Sequence, residues 1–250
     1  MPLAHMLEAC APNVRFARRW VDVLDWLLPP RCGSCRRLGT WLCDWCRARI
    51  RWLEEPLCRR CGGEVEFAGA ACPCRRRHRA LSRLRSAAAY EASIEKAIHR
   101  FKYEGWRALA PVLAGLLLEA RGDEEPATSA VLPATTMLAV PLHPRRLRAR
   151  GYNQSELLAA ELRRRLGVRA PAGSLVRVRD TPPQVGLDRL HRRQNVAGAF
   201  AWRGPAPGPG TVVVVDDVTT TGATIEACAA AARIAGSGPV IGLTVARVRL

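Results

Sequence analysis

The sequence has no apolar run long enough to span a lipid bilayer, which takes roughly 20 consecutive apolar residues. Its N-terminal segment 14–28 is interrupted by Arg18, Arg19, Asp22 and Asp25, so the apolar core of a secretory signal is missing as well. The apolar positions of this segment predict a short amphipathic helix within residues 1–30, ended by a pair of prolines. We therefore expect a cytoplasmic protein with no membrane insertion.

Lysine is almost absent, although the chain is strongly basic. Lys96 and Lys102 are the only lysines among 39 basic residues. With 22 acidic residues the formal net charge is +17, which favours anionic partners such as phosphorylated metabolites, nucleic acid or a lipid surface. An arginine bias also arises from a GC-rich genome, so the charge alone leaves a metabolite phosphate and a polynucleotide as open alternatives.

The cysteines lack the spacing of a secreted disulfide scaffold. Eight of the ten fall in close pairs within residues 32–74, which indicates metal ligands in a reducing compartment. Two residues between cysteines let both thiolates reach one tetrahedral zinc ion. Residues 31–79 are too short and loop-rich to fold by burial alone, so they are predicted to form a zinc-dependent domain. The predicted ligands are Cys32, Cys35, Cys43, Cys46, Cys58, Cys61, Cys72 and Cys74.

The last cysteine pair differs from the others, because only Pro73 separates its members. Eight thiolates suggest two zinc ions, one for the four ligands up to Cys46 and one for the four that follow. The short last spacing leaves one or two ions open, with His78 as a substitute for one ligand of the second site. Disulfides are the alternative for the whole set.

Aromatic and basic residues are interleaved around the cysteines, where Trp41, Trp45 and Trp52 lie among many arginines. Arginines beside aromatic rings suit single-stranded nucleic acid. The alternative is that the tryptophans pack the small core of the zinc domain while the arginines are solvated. Both interpretations stay open.

Beyond residue 84, segments typical of strands and of helices alternate. Strands are predicted at residues 86–90, 137–141, 175–178, 211–215 and 239–247, and helices at 93–103, 106–121, 154–166 and 223–235. Segment 211–215 contains four valines, as in a buried parallel strand. The alternation predicts an α/β domain over residues 84–250, with a mostly parallel sheet and helices on both faces. Residues 122–135 are predicted to be a linker.

Two acids, several threonines and a glycine stand between the predicted strand 211–215 and the next helix. Backbone amides of a loop that enters a helix converge on one point, where the helix dipole adds positive potential, so an anion binds well there. Asp216 and Asp217 suit the hydroxyls of a sugar next to that anion. The predicted phosphate-binding residues are Thr219, Thr220, Thr221, Gly222, Ala223 and Thr224.

Two common phosphate motifs are excluded for this segment. It has no Gly-x-x-x-x-Gly-Lys pattern, no lysine nearby and none of the glycines of a dinucleotide fingerprint. A structural helix cap is the alternative, but two acids and four hydroxyls exceed what one cap needs. The segment therefore predicts a site for a phosphorylated sugar.

A second basic segment follows the predicted strand 137–141 and includes Leu142, His143, Arg145 and Arg150. Arginine forks match phosphate oxygens, and the segment lies at the carboxyl end of a strand, where ligands bind. An exposed basic turn is the alternative, and His143 is either a general acid or base or a turn residue.

The irregular segment 179–195, with Arg179 and Gln184, is interpreted as a lid over the site or, alternatively, as a surface loop.

The segment VDDVTTTGAT at residues 215–224 resembles the motif of type I phosphoribosyltransferases that binds phosphoribosyl pyrophosphate (PRPP). The resemblance implies that Asp216 and Asp217 hold the ribose, that the following loop holds the 5-phosphate, and that Mg²⁺ comes with PRPP. It also implies a pyrophosphate loop at residues 142–145, with Arg150 nearby as a third catalytic residue. The predicted lid is similar to the mobile catalytic loop of amidophosphoribosyltransferases.

The order of motifs along nearly the whole chain resembles the ComF/GntX family of bacterial competence-associated proteins. The motifs are the cysteine pairs, IHRFKY at 98–103, VPLH at 140–143, RGYNQ at 150–154, TPPQ at 181–184 and VDDVTTTGAT at 215–224. The resemblance implies a double zinc ribbon, a type I phosphoribosyltransferase fold and a cytoplasmic role in the uptake or use of DNA. It leaves open whether the protein transfers a phosphoribosyl group, or only binds PRPP, a nucleotide or single-stranded DNA and works with DNA-uptake proteins.

Overall fold

The computed structural model describes residues 29–76, 78–120, 135–182 and 188–249. The helix predicted before the N-terminal proline pair, most of the predicted linker and Gln184 lie outside these residues. Among the helices that are described, none is long and apolar enough to cross a membrane.

The centre of the fold is a four-stranded parallel sheet. With strands numbered in chain order, it consists of β1 (Arg83–Ala89), β2 (Thr136–Ala139), β5 (Val212–Thr219) and β6 (Val240–Arg247). They lie side by side in the order β1, β6, β5, β2. The first four valines of β5, at positions 212–215, are fully buried, as expected of a central strand that is covered on both faces.

Helices cover both faces of this sheet. The helices of the described residues are α1 (Asp44–Arg47), α2 (Ala92–Tyr103), α3 (Ala110–Glu119), α4 (Pro144–Arg150), α5 (Gln154–Leu166), α6 (Arg189–Val196) and α7 (Ala223–Ile234), with short 3-10 turns at Pro73–Arg76 and Arg107–Leu109. On one face, Val213 and Val215 share a core with residues of α2, α3 and α5. On the other, Val214 packs with Ile225 and other residues of α7. The predicted α/β fold with helices on both faces is confirmed.

The bounds of α5 agree with the predicted helix 154–166, because strong signals lie at both of its ends. The side chain of Asn153 accepts a hydrogen bond from the amide of Ser155 at 3.1 Å and caps the first turn. Gly167 ends the helix in the left-handed region, at φ 67°. Basic residues of the last turn complement the helix dipole.

The central strand is longer than the prediction. β5 continues to Thr219 rather than ending at Val215, because β6 pairs with it as far as the partners Thr219 and Arg247. Asp216 and Asp217 therefore belong to the strand itself, and the turn before α7 is only three residues long.

Two elements of the α/β domain are absent from the sequence prediction. Residues 144–150 form α4 rather than a turn, with His143 at its N-cap and Gly151 at its C-cap. Phe200–Arg203 forms β4, which pairs antiparallel with β3 (Ser174–Arg177) in a separate two-stranded sheet. Both elements are short, so hydrophobic periodicity has too few residues to indicate them.

The cysteine-rich segment packs directly on the α/β domain. Cys32 and Cys46 are fully buried in the same core as α2 and α3. A Cβ atom placed on Gly33 would lie 2.8 Å from a methyl carbon of Leu109, so a larger residue here would require Leu109 to shift. Arg100 donates hydrogen bonds to the carbonyls of Gly33 and Ser34. The two parts of the chain therefore share one hydrophobic core.

Candidate functional site

A cavity of about 290 Å³ opens at the carboxyl ends of β2 and β5, where ligands bind in open parallel sheets. It brings together side chains from α2, α4, α5, β5 and the start of α7. Residues singled out by the sequence analysis that line it are Asp216, Asp217, Arg150, Leu142, Thr219, Thr220, Gly222, Ala223 and Thr224.

Asp216 has a half-buried side chain whose Oδ1 atom is fixed by two hydrogen bonds. The hydroxyl of Ser155, in the first turn of α5, donates to Oδ1 at 2.7 Å, and the amide of Asp217 donates at 2.9 Å. Burial, followed by the charge of Asp217, raises the pKa of Asp216 to about 7, against the opposing effects of Lys102 and Ser155. The carboxyl group is therefore poised between its neutral and ionised forms near neutral pH.

Asp217 lies deeper than Asp216 and forms an ion pair with Lys102 of α2. The Nζ atom of Lys102 lies 2.8 Å from Oδ1 of Asp217, whose side chain is only 3% exposed. Burial alone would lower the pKa of Lys102, but the charges of Asp217 and Asp216 raise it, so the ammonium group stays charged. The Oδ2 atom of Asp217 is buried and has no hydrogen-bond partner within the described part of the chain.

Lys102 is a site residue to which the sequence analysis assigns no role. Its motif, IHRFKY, carries no chemical signature, and α2 precedes the acids by more than a hundred residues. The available signal is composition: a lysine kept in a chain whose other basic residues are almost all arginines stands out.

The turn between β5 and α7 has the geometry of an anion site. Gly222 caps α7 in the left-handed region at φ 79°, where only glycine is free of strain. The 12-residue helix behind it directs its first amides and its dipole toward the turn. Thr219 and Thr220 add hydroxyls on the cavity side. We call residues 219–224 the phosphate turn.

Thr221 is the member of the phosphate turn that does not line this cavity. It is buried, its hydroxyl oxygen accepts a hydrogen bond from the amide of Ala223 at 3.4 Å, and it borders two other cavities beside His78. The sequence gives the same role to all the threonines of the turn, but in the structure Thr221 faces a different space from the others.

Several arginines line the same cavity as the phosphate turn. Arg150 donates a hydrogen bond to Gln154 Oε1 at 2.5 Å, and its guanidinium carbon lies 5.1 Å from the ring centre of Tyr103. Arg146 and Arg177 also line the cavity, and both are anchored to Thr181. Burial and then the charge of Arg146 lower the pKa of Arg177. Such a group of cations suits a ligand with more than one phosphate.

Other residues predicted for this region lie outside the cavity. His143 caps α4, and both His143 and Arg145 face Asp180, at 3.6 and 3.5 Å. Arg179 donates to the carbonyls of Asn195 and Ala197, which ties together the two ends of the predicted lid. Gln184 lies outside the described residues. The cavity thus uses Arg146 and Arg177 where the sequence pointed to Arg145 and Arg179.

The eight paired cysteines form two clusters with the predicted membership. Within each cluster the ligand atoms all lie within 4.8 Å of one another. The sulfur–sulfur distances of 3.7 Å (Cys35 to Cys43), 3.5 Å (Cys58 to Cys74) and 3.7 Å (Cys61 to Cys72) are close to the edge of about 3.8 Å expected for four thiolates around zinc.

The short Cys-Pro-Cys spacing does not prevent the second cluster from having four sulfur ligands, so His78 is not needed as a substitute. His78 instead pairs with Glu226, with 3.5 Å between His78 Nδ1 and Glu226 Oε2. Both clusters suit structural zinc, since every tetrahedral position is filled by cysteine.

The tryptophans of the cysteine-rich segment divide into two groups. Trp41 and Trp52 pack against the main core, and Trp41 meets Trp106 edge to face at 6.4 Å. Trp45 is 55% exposed, and the guanidinium carbon of Arg49 lies 4.5 Å from its ring centre.

Comparison with known proteins agrees with this architecture. A family model described as "Double zinc ribbon domain" matches residues 23–76. The chain is 32% identical over 203 residues to the DNA utilization protein YhgH of Escherichia coli K12, an alignment that covers 79% of this chain and 88% of the relative. YhgH of Salmonella typhimurium LT2 has the same identity and coverage. Competence protein F of Haemophilus influenzae is 31% identical over 204 residues, covering 78% and 87% of the two chains.

Proposed function

Because this chain belongs to the ComF family of competence-associated proteins, we propose that it binds PRPP and transfers its phosphoribosyl group in the service of DNA utilization. The relatives are named for competence and for DNA utilization. The proposal for this chain joins that cellular role to the chemistry of the cavity.

The observation that carries the proposal is the meeting of two kinds of group in one cavity. The carboxylate of Asp216 and the phosphate turn follow one another on β5, and both face the same space. A phosphate on the turn would leave the attached sugar next to Asp216, which can accept hydrogen bonds from its hydroxyls. Lys102 and Arg150 provide positive charge close by.

The remaining cations fit the other end of PRPP. Arg146 and Arg150 are well placed for the pyrophosphate, because both line the cavity beside Leu142. In the proposed transfer, the acceptor nucleophile forms a bond to C1 of the ribose while the bond from C1 to the pyrophosphate oxygen breaks. Fixed positive charge stabilises the departing pyrophosphate, and this effect is the main contribution of the chain to catalysis.

Mg²⁺ is part of the proposal because PRPP carries it on its phosphate and ribose oxygens. The cavity is compatible with this, since Asp216 presents a carboxylate to it and Asp217 keeps one oxygen without a hydrogen-bond partner in the described part of the chain. A metal held mainly by substrate oxygens, with one or two protein carboxylates, is the usual arrangement for Mg²⁺. When bound, the ion supplies charge neutralisation at the pyrophosphate.

The test is isothermal titration calorimetry with PRPP and Mg²⁺ on the wild type and two matched variants. Asp216→Asn should weaken PRPP binding by about tenfold or more, because it removes charge-assisted hydrogen bonds to the ribose. Asp44→Asn, an exposed acid of the zinc ribbon, should bind like the wild type. Equal affinity of the Asp216 variant, or no binding by the wild type, would contradict the proposed site. A pyrophosphate-release screen over free bases then tests turnover.

Single-stranded DNA is a second candidate ligand, and one specific observation favours it. Trp45 exposes its ring with Arg49 stacked on it, on a zinc ribbon rich in arginine. Base stacking on such a ring, with phosphates held by neighbouring arginines, is the common mode of sequence-independent binding. This candidate places DNA on the ribbon and does not need the cavity.

Fluorescence anisotropy with a labelled oligothymidylate tests this second candidate. Trp45→Ala should weaken binding by roughly 1–3 kcal/mol, whereas Phe67→Ala, another exposed aromatic of the ribbon, should not. Affinity should also fall steeply with salt. If both variants bind like the wild type, Trp45 does not stack on a base. If oligothymidylate binds and PRPP does not, the non-catalytic module is favoured over the transferase.

A further inference from the structure

His78 lies between the second cysteine cluster and the phosphate turn. Its side chain is almost completely buried, at 3% exposure, although a histidine is normally half exposed. Its amide donates to the carbonyl of Cys74 at 2.9 Å, which places it one turn beyond a ligand of the second cluster. The position of its ring is therefore linked to the position of that cluster.

The same ring closes the space behind Gly222. A Cβ atom placed on Gly222 would lie 2.6 Å from Cε1 and 3.1 Å from Nε2 of His78. The imidazole therefore occupies the space that any side chain at position 222 would need, directly beside the backbone of the phosphate turn. Leu84 fills the rest of the gap, at 3.3 Å from the same point.

Glu226 binds the segment that leaves the zinc ribbon to the helix that begins at the phosphate turn. Its carboxylate accepts hydrogen bonds from the amides of Arg79, Ala80 and Leu81 at 2.8, 2.9 and 3.1 Å, and it also faces His78. Burial alone would raise the pKa of Glu226, but the interaction with His78 and then the hydrogen bonds from these amides lower it, so the carboxylate is ionised. Glu226 lies one helical turn after Gly222 and therefore fixes both sides of the contact.

The second cluster is also attached to the sheet through its backbone carbonyls. The carbonyl of Arg60 accepts from the amide of Leu84 in β1 at 2.7 Å, and the carbonyl of Cys61 accepts from Arg247 in β6 at 2.6 Å. β6 pairs with β5, which leads into the phosphate turn, and β1 pairs with the other edge of β6. The cluster, the sheet edge and the turn are thus held in one packed unit.

From these contacts we infer that His78 is a positioning residue. An intact second zinc cluster holds the imidazole of His78 in place, and the imidazole in turn holds the phosphate turn in its binding conformation. The turn then binds the 5-phosphate of its ligand tightly only while that cluster is intact. The inference rests on the proposed function, because it takes the turn to bind a phosphate. It concerns one end of the ligand, since His78 borders the space behind Gly222 and does not line the cavity wall that Arg146 and Arg150 form.

The first experiment compares ribose 5-phosphate with inorganic pyrophosphate, the latter in the presence of Mg²⁺, as separate ligands in calorimetry. His78→Ala should weaken ribose 5-phosphate binding by about tenfold and change pyrophosphate binding by less than about twofold. His99→Ala, which removes an exposed imidazole from α2, should change neither. Zinc content, measured by chromogenic release, should be equal in all three proteins.

The outcomes separate the inference from the proposed function. If the wild type binds neither ligand, the proposed function fails, and the inference fails with it. If the wild type binds both but His78→Ala binds ribose 5-phosphate normally, or loses both ligands equally, the inference alone is overturned.

A double-mutant cycle tests the contact directly. Gly222→Ala places a methyl group against the imidazole, whereas in a His78→Ala background that collision is relieved and only the strain of a positive φ remains. The loss of ribose 5-phosphate affinity caused by Gly222→Ala should therefore be smaller in the double variant, by roughly fivefold. Strictly additive losses would show that the ring does not support the turn.

A third comparison tests whether loss of the second zinc ion weakens the phosphate turn through His78. Cys72→Ser should release the second zinc while the first cluster keeps its own, and it should weaken ribose 5-phosphate binding in the wild-type background. In the His78→Ala background the same substitution should have little further effect on ribose 5-phosphate binding, because the imidazole that links the cluster to the turn is already absent. An equal loss in both backgrounds would mean that zinc acts on the turn by another route.

Discussion

Replacing Asp216 with asparagine should stabilise the folded protein while it weakens PRPP binding. The pKa of Asp216 is raised from 3.8 to about 7, chiefly by burial and then by the charge of Asp217. A shift of about three units corresponds to at most about 4 kcal/mol of penalty on the ionised form. Because the cavity is open to water, we expect roughly half of this, about 2 kcal/mol. Asparagine can still accept the hydrogen bonds from Ser155 and from the backbone.

The sign of the pH dependence follows from the direction of the shift. A carboxyl group whose pKa is higher in the folded state destabilises that state increasingly as pH rises from about 4 to about 7, and the full penalty is present above pH 7. At pH 8, Asp216→Asn should therefore melt about 4–8 °C above the wild type. At pH 5.5 the difference should be roughly half as large.

Thermal unfolding followed by circular dichroism at the two pH values measures this difference, with Asp44→Asn as the control that shows no such trend. PRPP affinity of the wild type should also fall from pH 8 to pH 5.5, because protonation of Asp216 removes the negative charge that favours hydrogen bonds from the ribose. A lower melting temperature for Asp216→Asn at pH 8, or a shift in melting temperature that is the same at both pH values, would refute this reasoning. Either result would mean that the ionised carboxylate of Asp216 does not destabilise the folded state.

Three further outcomes are expected. Lys102→Met should destabilise the protein by about 3 kcal/mol in urea unfolding, since it leaves Asp217 buried and unpaired, whereas the exposed control Lys96→Met should cost little. Arg150→Met should weaken pyrophosphate binding more than ribose 5-phosphate binding in calorimetry, and equal losses would argue against a pyrophosphate end at α4. Zinc chelation should lower the melting temperature of the whole chain in one transition, because Cys32 lies in the main core; two separate transitions would instead mean that the ribbon folds independently.

Much of the fold is predictable from local signals in the sequence. The valines of β5 indicate a buried parallel strand, and the caps of α5 fix both of its ends. The cysteine pairs give the membership of both clusters, because two thiolates close in sequence are necessarily close in space. The acids that follow the valines are placed at the cavity by the same strand.

What the sequence does not reveal depends on contacts between distant segments. The ion pair between Lys102 and Asp217 joins residues that are far apart in the chain, and nothing local at either position announces it. The choice of Arg146 over Arg145 depends on α4, since a helix turns neighbouring side chains to different faces whereas a loop does not fix their direction. Thr221 is directed away from the cavity by the geometry of one short turn.

The contacts of the zinc ribbon also bear on why it precedes the α/β domain in a single chain. Arg100 of α2 binds carbonyls in the first cluster and lies two residues before Lys102, so the ribbon braces the helix that carries the partner of Asp217. The second cluster reaches the opposite end of the cavity through His78. A structural metal adds most of its stability where burial alone is insufficient, and here the cysteines of the first cluster complete the main core beside α2. The ribbon is therefore better understood as part of the wall that supports the cavity than as a separate module attached to it.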